Sequence, residues 1–234
     1  MPKIMNEWET IDYLIEHRCG IARYGDGELK LCLGSSTKSH NYSPEISTRL
    51  RGILRSDRKE CLVGIPRVDR VIPTERKKHH WAKYDTDRFN SLYLPGKVYG
   101  SAFITRFDEI PEIDCEAYWQ KVRSLWQGRS VVVLQGTRKP FLKNPWIVDG
   151  ATSVRVFHGP VNSAFTEYDS LMATMLAETT LNDLIILALG AAATVIAYDL
   201  SLTGRQALDL GHLGMFYARA HYSQTGEKKE KDGF

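Results

Sequence analysis

The strongest indication of the fold is the strand-like segment 130–136, which is continuously apolar at residues 131–134. It contains three successive valines, Val131 to Val133, and it ends at Gly136. Uninterrupted runs of β-branched residues are typical of parallel strands, because helices cover both faces of a parallel sheet and bury both sets of side chains. We therefore predict a buried strand here, within a sheet that is flanked by helices.

Shorter apolar runs elsewhere in the chain alternate with helical patterns. Further strands are predicted at residues 20–22, 61–65, 98–105, 154–157, 184–190 and 207–210. Between them, apolar residues recur at the spacing of amphipathic helices, at residues 7–17, 29–33, 44–54, 118–126, 163–175 and 191–202. An alternating order of this kind predicts an α/β fold with a mainly parallel sheet.

One domain accounts for most of the chain. The 234 residues are 43% apolar and 25% charged, a composition with which a single core can form. Neither an internal repeat nor a linker divides the sequence, so we predict one domain over residues 1–222. The segment 223–234 is rich in lysine, glutamate and glycine without periodicity, and we expect it to be disordered.

Several classes of protein are disfavoured by charge, cysteine spacing and hydropathy. The net charge of +3 does not require a nucleic-acid partner. The four cysteines, at positions 19, 32, 61 and 115, form no C-x-x-C pair, which argues against a zinc site and favours reduced thiols. The N-terminus has no apolar signal region, and the longest apolar run, 184–197, is too short to cross a bilayer. We expect a cytoplasmic protein without a transmembrane segment, in contact with a membrane at most at its periphery.

Two acidic residues, Asp26 and Glu28, stand one residue apart at a predicted switch from strand to helix. They are interleaved with Gly25 and Gly27, which allow a tight turn and the close approach of a ligand. Carboxylate oxygens are the ligands that Mg²⁺ or Mn²⁺ prefers, so the motif is a candidate metal site. A turn with two solvated acids explains the same residues, and the motif alone does not decide between these alternatives.

Other candidate residues follow predicted strands, where open α/β sheets bind their ligands. Asp209 and His212 could be a general base and its neighbour, or a strand-end cap and a hydrogen-bonded core histidine. Arg106 could clamp a pyrophosphate, or it could pair with Asp108 or Glu109 on the surface. The sequence leaves both pairs of alternatives open.

The predicted helix start between Gly190 and Thr194 offers backbone N–H groups and a positive dipole end to a phosphate. It lacks the G-x-G-x-x-G and Walker patterns, which disfavours hydride transfer and P-loop hydrolysis. The basic segment 67–80 could be an anion-binding surface or a solvated helix and loop. Trp146, in a predicted loop, is a candidate sugar-stacking platform, whereas Asp199 is expected to form a structural pair.

Several stretches of the chain resemble the bacterial GT-D type glycosyltransferases, a family first described as a domain of unknown function with a D-x-E motif. The resemblance extends in order and spacing over roughly residues 20–220. The stretches that carry it are residues 23–28, 101–106, 125–128, 160–168, 187–200 and 207–212.

The resemblance implies a Rossmann-like single domain that binds a nucleotide-sugar, commonly a UDP-sugar, together with Mn²⁺ or Mg²⁺. The D-x-E motif of the family maps onto Asp26 and Glu28, which are then the metal ligands. The acceptor would be a glycan or glycoconjugate, and Asp209 and His212 are the candidate catalytic residues. The residues expected to bind the nucleotide-sugar are Arg23, Gly25, Gly27, Arg106, Arg138, Asn162, Gly190 and Thr194.

The chain departs from the family pattern after the strand at 130–136, where Gln135 stands in place of the usual glutamate. A metal-dependent glycosyltransferase is the leading hypothesis. The alternatives are a non-catalytic protein of the same fold that binds nucleotides or carbohydrates, and a metal-dependent nucleotidyltransferase or phosphohydrolase. The last of these needs only paired acids and a cation.

Overall fold

The alternating strands and helices form a parallel sheet that is covered on both faces. The computed structural model describes residues 2–67, 86–107, 110, 113–137, 141–143 and 145–226. Within these residues eight strands form one sheet, and each pair of neighbours is parallel. The predicted α/β class and single domain are confirmed, and the sheet is wholly rather than mainly parallel.

The structure contains all of the predicted strands and helices, several of them with different bounds. The strands are β1 (Lys3–Ile4), β2 (Gly20–Arg23), β3 (Cys61–Ile65), β4 (Val98–Ser101), β5 (Ser130–Gly136), β6 (Ser153–Gly159), β7 (Leu184–Ala188) and β8 (Gln206–Asp209). The helices are α1 (Glu7–His17), α2 (Asp26–Cys32), α3 (Pro44–Arg55), α4 (Thr86–Asn90), α5 (Cys115–Arg123), α6 (Tyr168–Glu178), α7 (Ala191–Leu202) and α8 (Leu213–Thr225). None of the helices in the described part of the chain combines the length and the apolar character that crossing a membrane requires.

The order of the strands places β2 and β8 side by side at the centre of the sheet. The order is β1-β4-β3-β2-β8-β7-β5-β6, and the register pairs Ile21 with Leu208. From β2 the chain steps outward through β3 and β4 towards one edge, whereas β5 and β6 lie towards the other. The strand order therefore reverses at the centre, and open α/β sheets bind ligands at such a switch point, beyond the carboxyl ends of the strands.

The buried side chains of β5 show how the two faces are covered. Val131 and Val133 belong to a core cluster with α1, α5 and α8, whereas Val132 and Leu134 belong to one with α6 and α7. Successive residues of a strand point to opposite faces, so the continuous apolar run is explained by burial on both sides. Helix α7 is buried over most of its circumference and also contacts the cluster that contains α2 and α3.

The boundaries of several elements differ from the prediction, and helices α4 and α8 were not predicted. The predicted strand 98–105 ends at Ser101, whose hydroxyl accepts a hydrogen bond from the Phe103 N–H at 3.0 Å and begins a 3₁₀ turn, Ala102–Thr105. Strand β1 was not predicted because two residues are too few to show a period. Helix α8 continues through Thr225, so the first three residues of the predicted tail are helical, and residues 227–234 lie outside the described residues.

The helix predicted at residues 163–175 also begins later than expected. A 3₁₀ turn, Ala164–Glu167, precedes α6, and Ser163 makes no side-chain capping hydrogen bond. The Ser163 hydroxyl instead accepts a hydrogen bond from the Asn41 N–H at 3.2 Å, and the Ser163 N–H donates to the Ser39 carbonyl at 2.7 Å. Ser163 is therefore used to fix the loop that follows α2.

Candidate functional site

Asp26 and Glu28 lie in the first turn of α2, directly beyond the carboxyl end of β2. The Glu28 carboxylate accepts a hydrogen bond from the Gly25 N–H at 2.8 Å, so it satisfies a free backbone group at the start of its own helix. Asp26 forms a salt bridge of 3.0 Å with Lys30 one turn later, and both side chains are 34% exposed. Both acids are accessible in part and are held by local contacts.

The two acids line a cavity of about 370 Å³. Its walls are the first turn of α2, the loop residues Thr37 to His40, and Ala191 at the start of α7. A cavity of about 410 Å³ lies elsewhere, lined by residues at the beginnings of β3 and β4, Cys61 and Val98 among them. Because parallel sheets bind ligands at the carboxyl ends of their strands, we assign the candidate site to the cavity beside Asp26 and Glu28.

Negative charge in this region is incompletely compensated. Burial raises the pKa of Glu28 to about 7, and the nearby charge of Asp209 acts in the same direction. Burial also raises the pKa of Asp209, against the opposing effect of Arg23. Carboxylates whose charge is costly in this way favour the binding of a cation, which would stabilise their ionised forms.

The protein itself offers few ligands to a metal ion. In the part of the chain that the structure describes, no group of three or more histidine, cysteine, aspartate or glutamate side chains is arranged to hold a metal. Mg²⁺ is commonly bound through one or two carboxylates, with water and substrate phosphates completing its coordination. Asp26 and Glu28 fit a site of this kind, in which phosphate oxygens of the bound substrate complete the coordination of the metal ion.

Arg23, at the end of β2, joins three elements through its guanidinium group. Its Nε donates to the carbonyl oxygen of Asp209, and its Nη2 lies 3.5 Å from the Asp209 carboxylate. Its Nη1 donates to the Ala102 carbonyl at 2.9 Å and to the Thr105 hydroxyl at 2.6 Å. These contacts to protein acceptors favour a positioning role for Arg23, which was predicted to bind the nucleotide-sugar.

The predicted catalytic residue Asp209 is held by the same network. The hydroxyl of Thr194 lies 3.2 Å from the Asp209 carboxylate and 3.0 Å from the Arg23 carbonyl. Asp209 is 6% exposed and Thr194 is fully buried, so both lie beneath the surface. For Asp209 this arrangement favours the strand-end cap over the general base, and for Thr194 it favours a structural contact over direct contact with a phosphate.

The remaining predicted residues lie around the same end of the sheet. His212 is exposed immediately before α8, and the Arg106 guanidinium lies 4.1 Å from the ring centroid of Phe216 in that helix. Gly190, with φ of 55°, precedes α7, and Gly25 and Gly27 flank Asp26. Asn162 is exposed in the turn after β6, and Arg138 lies outside the described residues.

Packing bears on two further predictions. Trp146 lies 5.6 Å from Trp119 and 5.5 Å from Tyr217, between ring centroids, and packs partly buried against the core cluster, which favours a core role over a sugar-stacking platform. Asp199 pairs with Arg49 and accepts a hydrogen bond from the Tyr168 hydroxyl at 2.7 Å, which confirms the structural pair.

His40 is one of the cavity residues that the sequence did not reveal. It lies in the polar segment between α2 and α3, where neither a period nor a motif distinguishes one residue from its neighbours. Loops of this kind take their structure from tertiary contacts, here with Ser163 and Gly190, which no local pattern encodes.

Glu28→Gln is expected to raise the melting temperature of the ligand-free protein at neutral and alkaline pH, and to change it little near pH 4.5. The pKa of Glu28 is about 7 in the folded protein and 4.5 in its ordinary state, so between pH 4.5 and pH 7 the folded protein binds more protons than the unfolded protein. Stability is therefore lost as the pH rises through this window, whereas glutamine stays neutral and still accepts from the Gly25 N–H. Melting curves of both proteins over this pH range measure the effect. A difference that is the same at every pH would contradict the raised pKa.

Comparison with known sequences identifies relatives over most of the chain. The profile of the family described as "Glycosyltransferase GT-D fold" matches residues 21–231. The chain is 31% identical over 224 residues to "Probable glycosyl transferase Gly" of Streptococcus gordonii and 30% identical over 221 residues to "Glycosyltransferase GlyD" of Streptococcus pneumoniae serotype 4. Both alignments cover 89% of the chain but only 32% and 26% of the relatives, so the chain spans about a third of their length or less.

Solved structures give the same result for the fold. One, described as the highly conserved domain of unknown function 1792 with a distinct glycosyltransferase fold, superposes with a TM-score of 0.85 at 27% identity, covering 99% of this chain and 84% of that one. Another, described as a new glycosyltransferase from Streptococcus sanguinis, has a TM-score of 0.85 at 26% identity, with coverage of 99% and 88%.

Proposed function

The chain belongs to the GT-D glycosyltransferase family, and we propose on this basis that it transfers a sugar from a nucleotide-sugar to an acceptor hydroxyl. We propose further that the donor is a UDP-sugar, that the acceptor is a glycan or glycoconjugate, and that Asp26 and Glu28 hold Mn²⁺ or Mg²⁺. The observation that carries the proposal is the position of the two acids. They line one cavity beyond β2, at the point where the strand order reverses.

The donor set supports a divalent cation at this position. Burial and the nearby charge of Asp209 raise the pKa of Glu28, so a bound cation would favour the ionised form of this carboxylate. Two carboxylates would leave coordination positions for diphosphate oxygens, as Mg²⁺ sites in phosphate chemistry commonly do. When bound, the cation would supply charge neutralisation for the nucleoside diphosphate that leaves the sugar.

The other elements around the cavity would orient the donor. Ala191 lines the cavity and begins α7, so the positive end of this twelve-residue helix is directed to the side where a diphosphate would lie. Arg23 holds Asp209 and the turn after β4 in place, which keeps the ends of the central strands in fixed relative positions. We assign Arg23, Asp209 and Thr194 to positioning in this scheme.

His212 is the better of the two candidate bases. A general base must reach the acceptor hydroxyl, and His212 is exposed, whereas Asp209 is buried and already paired. His212→Gln is expected to lower the rate of transfer by about 10²-fold or more and to leave the affinity for UDP with Mn²⁺ unchanged. Transfer rates and UDP titrations of both proteins measure this. A matching loss of UDP affinity would instead indicate that His212 binds the donor.

The proposed function is tested by incubating the protein with single UDP-sugars and Mn²⁺, with and without glycan acceptors, and identifying the products. Release of UDP together with free or transferred sugar supports the proposal. Release of phosphate or pyrophosphate with the sugar left on the nucleotide would favour a phosphohydrolase or nucleotidyltransferase. Binding without turnover of any donor would favour a non-catalytic binding protein.

A cytoplasmic location also remains a proposal. It rests on the scattered spacing of the four cysteines, all of which are buried, because thiols of this kind are typical of reducing compartments.

A further inference from the structure

The imidazole of His40 lines the cavity beside Asp26 and Glu28 and is buried there. Only 4% of the residue is exposed. Neither ring nitrogen has a hydrogen-bond partner among the described residues. Buried polar atoms in native proteins nearly always have partners, so a residue with two that lack them calls for an explanation. A binding site is one such explanation, because the ligand then supplies the partners.

The backbone of His40 is fixed independently of its ring. The His40 N–H donates to the Thr37 hydroxyl at 2.9 Å, and the Thr37 N–H donates to the His40 carbonyl at 2.8 Å. On either side of His40, the Ser39 carbonyl and the Asn41 N–H are both bonded to Ser163. The loop is thus closed on itself and attached to the turn after β6, so the position of the imidazole is set by the protein.

Gly190 provides the surface on which the ring packs. A Cβ atom built on Gly190 would lie 2.8 Å from Cε1 of His40 and 3.2 Å from Nδ1, both too close for an ordinary contact. Gly190 also has a φ of 55°, which side chains rarely adopt. The glycine that precedes α7 therefore leaves room for the imidazole beside the start of that helix.

The hydrogen-bonding capacity of this ring identifies the chemistry of its partner. Burial lowers the pKa of His40, so the imidazole is neutral at physiological pH, with one nitrogen as a donor and the other as an acceptor. A phosphate oxygen can only accept from it, and a bound cation could only take the acceptor. A hydroxyl group on a sugar can donate as well as accept, so it suits either ring nitrogen, whichever of the two carries the proton.

We propose that His40 is a donor-binding residue that hydrogen-bonds a hydroxyl group on the nucleotide-sugar. The inference rests on the proposed function, because it needs a sugar nucleotide in the cavity. The hydroxyl belongs either to the ribose or to the transferred sugar, and binding experiments with suitable probes separate these two sources.

The test is calorimetric titration of the whole chain with Mn²⁺ and three kinds of probe. The probes are pyrophosphate, UDP, and a set of UDP-sugars comprising UDP-glucose, UDP-galactose and UDP-N-acetylglucosamine. His40→Phe keeps a planar ring and removes both nitrogens. It is expected to weaken the binding of the probe that carries the bonded hydroxyl by about tenfold and to leave pyrophosphate binding unchanged. Equal weakening for UDP and UDP-sugars indicates the ribose, and weakening for a UDP-sugar alone indicates the transferred sugar.

Two controls separate binding from folding. The ligand-free melting temperature of His40→Phe is expected to equal or exceed that of the wild type, because two buried polar atoms without partners are removed. His40→Gln, which retains one donor group and one acceptor, is expected to recover part of the affinity.

Three results would overturn the inference. If His40→Phe bound every probe as tightly as the wild type, the ring nitrogens of His40 would make no hydrogen bond to the donor. If the binding of pyrophosphate were weakened to the same extent as that of the other probes, the substitution would have a general effect on the site. If the wild type bound none of the probes, the proposed function would fail and the inference with it. Normal binding by the wild type with no effect of His40→Phe would refute the role of His40 alone.

Discussion

Asp26→Asn is expected to lower the rate of sugar transfer by about 10²- to 10³-fold, the usual effect of removing one group that stabilises developing charge. Asparagine has nearly the same shape but carries no charge, so the cation would lose one of its two carboxylate ligands from the protein. The salt bridge to Lys30 is also lost, but a pair that is 34% exposed on both sides contributes only about 0.3–0.5 kcal/mol to a helix. The fold should therefore persist, and steady-state rates with a UDP-sugar and Mn²⁺ measure the effect.

Glu45→Gln is a matched control for this variant. Glu45 is an exposed acid in the first turn of α3, and it is not among the residues that line the cavity. The substitution makes the same chemical change at a comparable position in a neighbouring helix. We expect wild-type rates from it. If the wild type and Asp26→Asn transferred sugar at equal rates at limiting Mn²⁺ concentration, the assignment of Asp26 as a metal ligand would be refuted.

Arg23→Ala is expected to destabilise the protein by about 3–5 kcal/mol, the usual cost of breaking a buried ion pair from one side. The side chains of Arg23 and Asp209 are 12% and 9% exposed, so water replaces the lost guanidinium poorly. The Ala102 carbonyl and the Thr105 hydroxyl lose their donor as well. Folded domains are stable by about 5–15 kcal/mol, so urea unfolding should show a large shift of the midpoint.

Two further variants determine the origin of this loss. Thr105→Val removes a single acceptor of Arg23 and is expected to cost about 1 kcal/mol. Asp209→Asn in the Arg23→Ala background removes the uncompensated charge and should recover part of the stability, because Thr194 still contacts the side chain. A loss below about 1 kcal/mol in Arg23→Ala, without recovery in the double variant, would show that the network does not organise the strand ends.

The fold could be predicted from local patterns because burial gives each strand and helix a recognisable arrangement of apolar residues along the sequence. The run Val131 to Val133 is apolar at every position since β5 is buried on both faces, and Ser43-Pro44 marks the start of α3 as capping chemistry requires. The order of the strands could not be predicted in this way. It depends on long-range pairing such as that of Ile21 with Leu208, which leaves no mark on either segment alone.

The site was predictable only as far as strand ends and paired acids reveal it. Asp26 and Glu28 have a position and a chemistry that the sequence displays. The roles of Arg23, Asp209 and Thr194 depend instead on a buried network that joins β2, β8, helix α7 and the turn after β4. His40 illustrates the limit most clearly, because a histidine in a polar loop becomes a candidate ligand-binding residue only through its burial against Gly190.

In the proposed scheme, Asp26 and Glu28 hold a cation together with the donor diphosphate. A crystal structure with UDP and Mn²⁺ tests this assignment, because anomalous scattering at the manganese edge locates the ion. We expect one ion in the cavity beside α2, coordinated by the carboxylates of Asp26 and Glu28 and by the diphosphate. An ion bound elsewhere, with Asp26 still paired to Lys30 and Glu28 still bonded to the Gly25 N–H, would contradict it.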